Sequence, residues 1–387
     1  MPLPLANWNY PTTIKAGPGR IRELPGLCRS LGMRRPLLIT DPGLAALAPV
    51  TETLRLCREA DMPCGLFSQI KGNPTGRNIN DGTAAFRAGG YDGVIGLGGG
   101  SALDAAKAVA LMTGQTRPLW DFEDANENYT RVDVTGMAPV IAIPTTAGTG
   151  SEVGRASVIV DESTHVKRII FHPRMLPAIV ILDPNLTTAL PARLTAATGM
   201  DALSHNIEAL SSPFYHPMAT GIGMEGCRLI HEYLERAVAD GHDLDARNQM
   251  LVASSMGATA FQKGLGAIHA LAHPLGAVYD AHHGTLCAIL MPYVLKANES
   301  RIADTMERLA RYLNLPGGNF RAMLDRVLAL RETIRIPHTL REIGIPADAV
   351  GRIGAMAVND PSAASNPIAY TATQYDAILR CAIEGTV

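Results

Sequence analysis

The sequence predicts an α/β N-terminal domain, doubly wound around a mostly parallel sheet, followed by an all-α C-terminal domain. Three observations carry this. In the first half, short and wholly apolar runs alternate with helical patterns, as buried parallel strands and their crossover helices do. After Asp183-Pro184 the texture changes, and helical periodicity dominates from about 192 to 383. At 387 residues the chain also exceeds the usual size of one core, so two domains are expected, at 1–185 and 186–387.

The elements follow in order. Pro36-Leu-Leu-Ile-Thr-Asp41 reads as a buried strand ending in a polar residue, with a helix near 43–60, a strand near 64–69 and a helix near 76–89 behind it. Asp92-Gly-Val-Ile-Gly-Leu-Gly98 is the next strand, and a helix runs from the following glycines to about 113. Apolar runs at 138–144 and 178–183 repeat the strand signal. In the helical half, Pro and Gly break the pattern at 213–217, 264–266, 316–318 and 361–367. No internal repeat or low-complexity tract interrupts either half.

Composition narrows the class. A net charge of −2 offers no basic patch for nucleic acid. The six cysteines are scattered without a CxxC pair, which suits reduced thiols in a cytosolic protein. The opening MPLPLANWNY lacks the basic and apolar regions of a signal peptide. No uncharged apolar run reaches the roughly 18 residues that a membrane span needs. A cytoplasmic enzyme is the expectation.

Two loops suit a phosphate-bearing ligand. Gly96-Leu-Gly98-Gly99-Gly100-Ser101 follows a strand and opens a helix, where glycines let backbone approach a pyrophosphate and the helix N-terminus supplies free N–H groups. Its spacing departs from GxGxxG. The second loop, Pro144-Thr145-Thr146-Ala-Gly148-Thr149-Gly150-Ser151-Glu152, offers hydroxyls and glycines after another apolar strand. For any one of its residues, helix capping is an equal reading. Asp41 suits either a ribose diol or a turn cap before Pro42.

Downstream, four of the 11 histidines fall within 15 residues: His269, His273, His282 and His283, among small and apolar neighbours. Buried imidazoles this close suggest a divalent metal. Earlier, Asp201 and His205 stand four apart and share one helix face, a spacing that serves two ligands or a plain hydrogen bond. One carboxylate with several imidazoles favours Fe²⁺ or Zn²⁺ over an oxygen-only ion such as Ca²⁺.

Taken together, GGGS at 98–101, TTAGTGSE at 145–152, GMDALSH at 199–205 and HALAHPLGA…HHG at 269–284 resemble the iron-dependent (group III) alcohol dehydrogenase family, in its motif order and over essentially the whole chain. The resemblance implies a Rossmann-like first domain within a dehydroquinate synthase-like architecture. It implies metal ligands at Asp201, His205, His269 and His283, with Fe²⁺ ahead of Zn²⁺. His273 matches a non-ligand histidine near nicotinamide and substrate, read here as a proton relay or a pocket wall. His282 is an extra residue, read as a bystander, although the ligand could fall at 282 rather than 283. For NAD(H), the resemblance implies Gly98, Gly99, Gly100 and Ser101 at the pyrophosphate with Asp104 nearby, and Asn73, Thr145, Thr146, Thr149 and Lys167 as further contacts. Asp41 matches a position where an acidic residue favours NAD(H) over NADP(H). The implied reaction is hydride transfer between nicotinamide and an alcohol or aldehyde carbon, in a homodimer or larger homo-oligomer.

Lys263 precedes the histidine segment, where the family lines its pocket. It suits an acidic substrate such as 4-hydroxybutyrate, or else is a surface lysine ending a helix. Maleylacetate reductase-like and glycerol dehydrogenase-like enzymes are the alternatives within the superfamily. A non-enzymatic metal-binding protein explains the histidines but not the two loops.

Overall fold

The computed structural model describes residues 12–164 and 166–387. The opening MPLPLANWNY lies outside the described residues. Two compact units divide the chain between Ala189 and Leu190. The boundary expected near 185 falls in the turn Pro184–Thr187 just before.

The first unit contains β1 (Thr13–Ala16), α1 (Leu24–Ser30), β2 (Pro36–Ile39), α2 (Ala48–Glu59), β3 (Gly65–Phe67), α3 (Gly76–Gly89), β4 (Gly93–Gly98) and α4 (Gly100–Met112). After a stretch of short turns come β5 (Val140–Pro144), β6 (Ala156–Asp161), β7 (Val166–Phe171) and β8 (Ile179–Leu182). Six strands form one sheet in the order β1-β8-β5-β4-β2-β3, and every neighbouring pair is parallel. Side chains alternate across it, which explains the unbroken apolar runs. Leu37, Ile39 and Val94 join Ile79, Phe86, Ala105 and Val109 from α3 and α4 in one core. Leu38, Ile95 and Leu97 join Leu24, Cys28, Val50 and Cys57 from α1 and α2 in the other.

Three features differ from the sequence reading. β1 is a largely exposed edge strand, with no apolar run to announce it. β6 and β7 form an antiparallel hairpin outside the main sheet. The helix expected from 43 begins at Ala48, because the Asp41 carboxylate and carbonyl both accept from Leu44 N and hold a turn first.

The second unit is helical: α5 (Ala192–Ser211), α6 (Pro217–Ala239), α7 (Leu244–Ala260), α8 (Ala267–Tyr279), α9 (His283–Tyr312), α10 (Phe320–Thr333), α11 (Arg352–Ala357) and α12 (Ala372–Glu384). α5 is its axis, buried from Thr195 to Leu210 apart from Thr198 and packed by α6, α7 and α9. Three chain breaks escaped the periodicity reading, at 240–243, 280–282 and 334–351. The second is a turn through Asp280 in the left-handed region (φ 50°) that lets α9 double back beside α8. Among the described residues, no helix is long and apolar enough to cross a membrane.

Candidate metal centre and cofactor loops

Three helices deliver the metal-type side chains. Asp201 and His205 stand one turn apart on α5, His269 lies in the first turn of α8, and His283 opens α9. Gly284 makes the last placement possible: a Cβ there would lie 2.4 Å from the Ala197 carbonyl oxygen, so only glycine lets the first turn of α9 abut α5. Asp201 Oδ1 then lies 3.8 Å from His205 Nε2, 3.9 Å from His269 Nε2 and 3.5 Å from His283 Nε2. Donors bound to one tetrahedral ion stand about 3.3–3.6 Å apart, so this spacing needs little adjustment to hold one.

The chemistry of the donors agrees. Asp201 Oδ1 and His269 Nε2 are buried with no hydrogen-bond partner, a costly arrangement that a cation between them removes. Burial raises the Asp201 carboxyl, but the pull of His205, His283 and His269 outweighs it and the net shift is down. Burial, with repulsion from His205, keeps His269 neutral, its pKa well below the ordinary histidine value. Its Nδ1 meets Glu208 Oε2 at 2.6 Å, while Glu208 Oε1 accepts from Ile268 N at 2.7 Å. Burial pushes the Glu208 carboxyl up to about 8, against N–H donation from Ile268 and Gly266. With His269 Nε2 committed to a cation, the one proton this pair shares belongs on Nδ1.

Cys287 is also within reach, with Sγ 3.6 Å from His283 Nε2. Asp201, His269, His283 and Cys287 offer ligand atoms within 4.8 Å of one another. Burial and the carboxylates of Asp201 and Glu208 hold the thiol pKa well above its usual value. His282 caps α9, its Nδ1 accepting from Thr285 N at 3.4 Å, which separates its role from that of His283. His273, one turn beyond His269, is half-exposed; its ring stacks on His283 at 5.5 Å and its Nδ1 lies 2.9 Å from Asp360 Oδ2. Lys263 is buried rather than at the surface, and Nζ donates to the Leu210 carbonyl near the C-terminus of α5 at 3.3 Å.

The loops of the first unit gather where three adjacent strands end. Asp41 follows β2, residues 98–101 follow β4 and residues 145–152 follow β5. Gly98 adopts φ 147°, and among the described residues no side chain caps α4, so its first N–H groups remain available to an anion. The Asp41 carboxylate sits beside Gly98, Thr146 beside Gly99 and Thr149 beside Gly100. Thr145 is buried and its N–H is bonded to the Gly98 carbonyl. Ser101 Oγ donates to the Gly72 carbonyl and so holds the exposed turn at Asn73. That turn is tied to the hairpin through Val160 N and the Pro74 carbonyl (2.8 Å), and Lys167 pairs with Val160 in register. Asp104 is a brace: its oxygens accept from Ser151 Oγ (2.5 Å) and Val158 N (2.9 Å), with Lys107 Nζ 3.1 Å away.

Sequence reasoning missed Glu208, Cys287 and Asp360. The first two follow His205 and His283 at helical spacing, three and four residues on, and were open to detection. Asp360 is 87 residues from His273, and no local pattern links them.

Phosphate-type loops at the strand ends of the first unit, and Asp201, His205, His269 and His283 gathered in the second, fit the class of metal-dependent, dinucleotide-linked dehydrogenases. The family profile described as iron-containing alcohol dehydrogenase matches residues 11–184, and that of the Fe-containing alcohol dehydrogenase family, C-terminal, matches 195–383. The chain belongs to the iron-containing alcohol dehydrogenase family. It is 37% identical to 4-hydroxybutyrate dehydrogenase of Cupriavidus necator over 380 residues, covering 96% of this chain and 98% of that one. The crystal structure of a 1,3-propanediol oxidoreductase superposes with a TM-score of 0.92 at 33% identity, covering 98% of this chain and 100% of that one. Sulfoacetaldehyde reductase from Bifidobacterium kashiwanohense, solved in complex with NAD⁺, superposes at 0.89 with 26% identity, covering 99% of each.

Proposed function

We propose that this protein is a metal-dependent, NAD(H)-linked oxidoreductase that interconverts a primary alcohol and its aldehyde, with short ω-hydroxy acids such as 4-hydroxybutyrate as the substrate class. The observation that carries the reading is the pair of buried, unpartnered atoms, Asp201 Oδ1 and His269 Nε2, with His205 and His283 around them. These four residues are the ligands, for Fe²⁺ first and Zn²⁺ next. Such a cation supplies Lewis-acid polarisation of a hydroxyl or carbonyl oxygen.

The chain's own residues do the rest. Asp201 brings the negative charge, and Glu208 orients His269. His273, half-exposed beside the ligands, holds the proton exchanged with the substrate hydroxyl. The uncapped N-terminus of α4 receives the pyrophosphate, with Thr146 and Thr149 beside it and Asn73 and Lys167 at its margin. Asp41 favours NAD(H), because its carboxylate repels a 2′-phosphate. The names of the relatives that act on 4-hydroxybutyrate and on sulfoacetaldehyde, compounds with an anionic end, support the substrate class. Lys263 is not given the task of binding that end, since its ammonium serves the end of α5. A cytoplasmic homo-oligomer completes the reading, checked by cell fractionation and light scattering.

The test follows NADH formation with 4-hydroxybutyrate, 1,3-propanediol and butanol before and after chelation. Activity should vanish with the metal, return with Fe²⁺, and be highest on the hydroxy acid. A metal-free protein that keeps its full rate contradicts the reading.

A further inference from the structure

We propose that Asp360 is a positioning residue for His273, fixing which ring nitrogen of that histidine is left to act; the inference rests on the role given to His273 above. Asp360 has a divided carboxylate. Oδ1 accepts from Ser362 N at 2.8 Å, capping the short turn Pro361–Ser365, and Oδ2 lies 2.9 Å from His273 Nδ1. The first bond holds the carboxylate in place by backbone, and the second holds the ring. Its side chain is 11% exposed against 32% for His273, so the acid is the anchor and the imidazole the working end.

A carboxylate only accepts, so Nδ1 carries the proton and Nε2 presents its lone pair. Among the described residues, no hydrogen bond engages Nε2. Parallel stacking on His283 at 12° and an edge contact with His269 fix the plane of the ring, while Asp360 fixes its flip and its tautomer.

The divided carboxylate makes Asp360→Asn a sharp probe. Ser362 N needs an acceptor, so the amide oxygen takes that side and the NH₂ faces His273 Nδ1. The tautomer then reverses, while the turn keeps a good cap. The experiment records ¹⁵N spectra of histidine-labelled protein, with the His273 signal assigned by its loss in His273→Ala, alongside kinetics and metal content. Wild type should show the Nδ1–H tautomer and Asp360→Asn the Nε2–H tautomer. kcat should fall about 10–100-fold with KM, metal content and Tm essentially unchanged, and the double variant should be no slower than His273→Ala alone. An Nε2–H tautomer in the wild type, an unaltered spectrum in the variant, or penalties that multiply in the double variant would overturn the proposal. Should the wild type lack dehydrogenase activity altogether, the functional reading fails by itself, and the nitrogen spectra still decide the role of Asp360.

Discussion

Helix α8 carries two imidazole–carboxylate pairs one turn apart, built alike and buried differently. In each, Nδ1 of the histidine meets one carboxylate oxygen while the other oxygen is held by a backbone N–H: Ile268 for Glu208, Ser362 for Asp360. The His269–Glu208 side chains are 2% and 4% exposed, and His269 Nε2 faces Asp201. The His273–Asp360 pair is 32% and 11% exposed, and Nε2 meets no protein acceptor or donor among the described residues. On the function proposed above, the same bond makes one imidazole a fixed ligand and leaves the other able to exchange a proton. What lies opposite Nε2 separates the two roles.

The comparison can be broken most simply by truncating each ring. His269→Ala should lower metal affinity by more than the roughly 100-fold that an outer partner is worth, whereas His273→Ala should keep its ion and lose turnover. Equal metal loss in both would erase the distinction. Glu208→Gln comes next. Ile268 N claims the amide oxygen, the NH₂ faces Nδ1 and a proton is forced onto Nε2, so affinity should fall about 10–100-fold in competition with a chromophoric chelator. Gly284→Ala should act more gently by pushing the first turn of α9 off Ala197. We expect about 1–3 kcal/mol of lost stability by denaturant titration and weaker metal retention, and an unchanged affinity would show that His283 is placed by other means. The smallest effect is expected at Lys263. Lys263→Met should leave KM for 4-hydroxybutyrate within about twofold, and a tenfold rise would restore this lysine as the carboxylate's partner.

How much of this was legible in sequence depended on how local each signal was. The parallel sheet could be read because strands buried on both faces are continuous apolar runs, as at 36–39 and 93–98. The exposed edge strand at Thr13–Ala16 has no such run, and its partner β8 begins at Ile179, far along the chain. In the site, Asp201 with His205 and His269 with His273 are i,i+4 pairs that a helix brings to one face. Separating His282 from His283 required the chain break at 280–282, since the cap and the first helical residue look alike in sequence. Asp104 illustrates the opposite limit: its position beside the glycine loop was readable, but not that Ser151 and Val158 already engage its oxygens.

Cys287 is the rival of His205 for a place in the proposed donor set, being within reach of the same Asp201 and His283. Metal content per chain, measured after anaerobic loading with Fe²⁺ in Cys287→Ser and in His205→Ala, decides between them. Ligation by Asp201, His205, His269 and His283 predicts one ion per chain in Cys287→Ser, as in the wild type, and little or none in His205→Ala. An ion lost from the serine variant and kept in the alanine variant would contradict it.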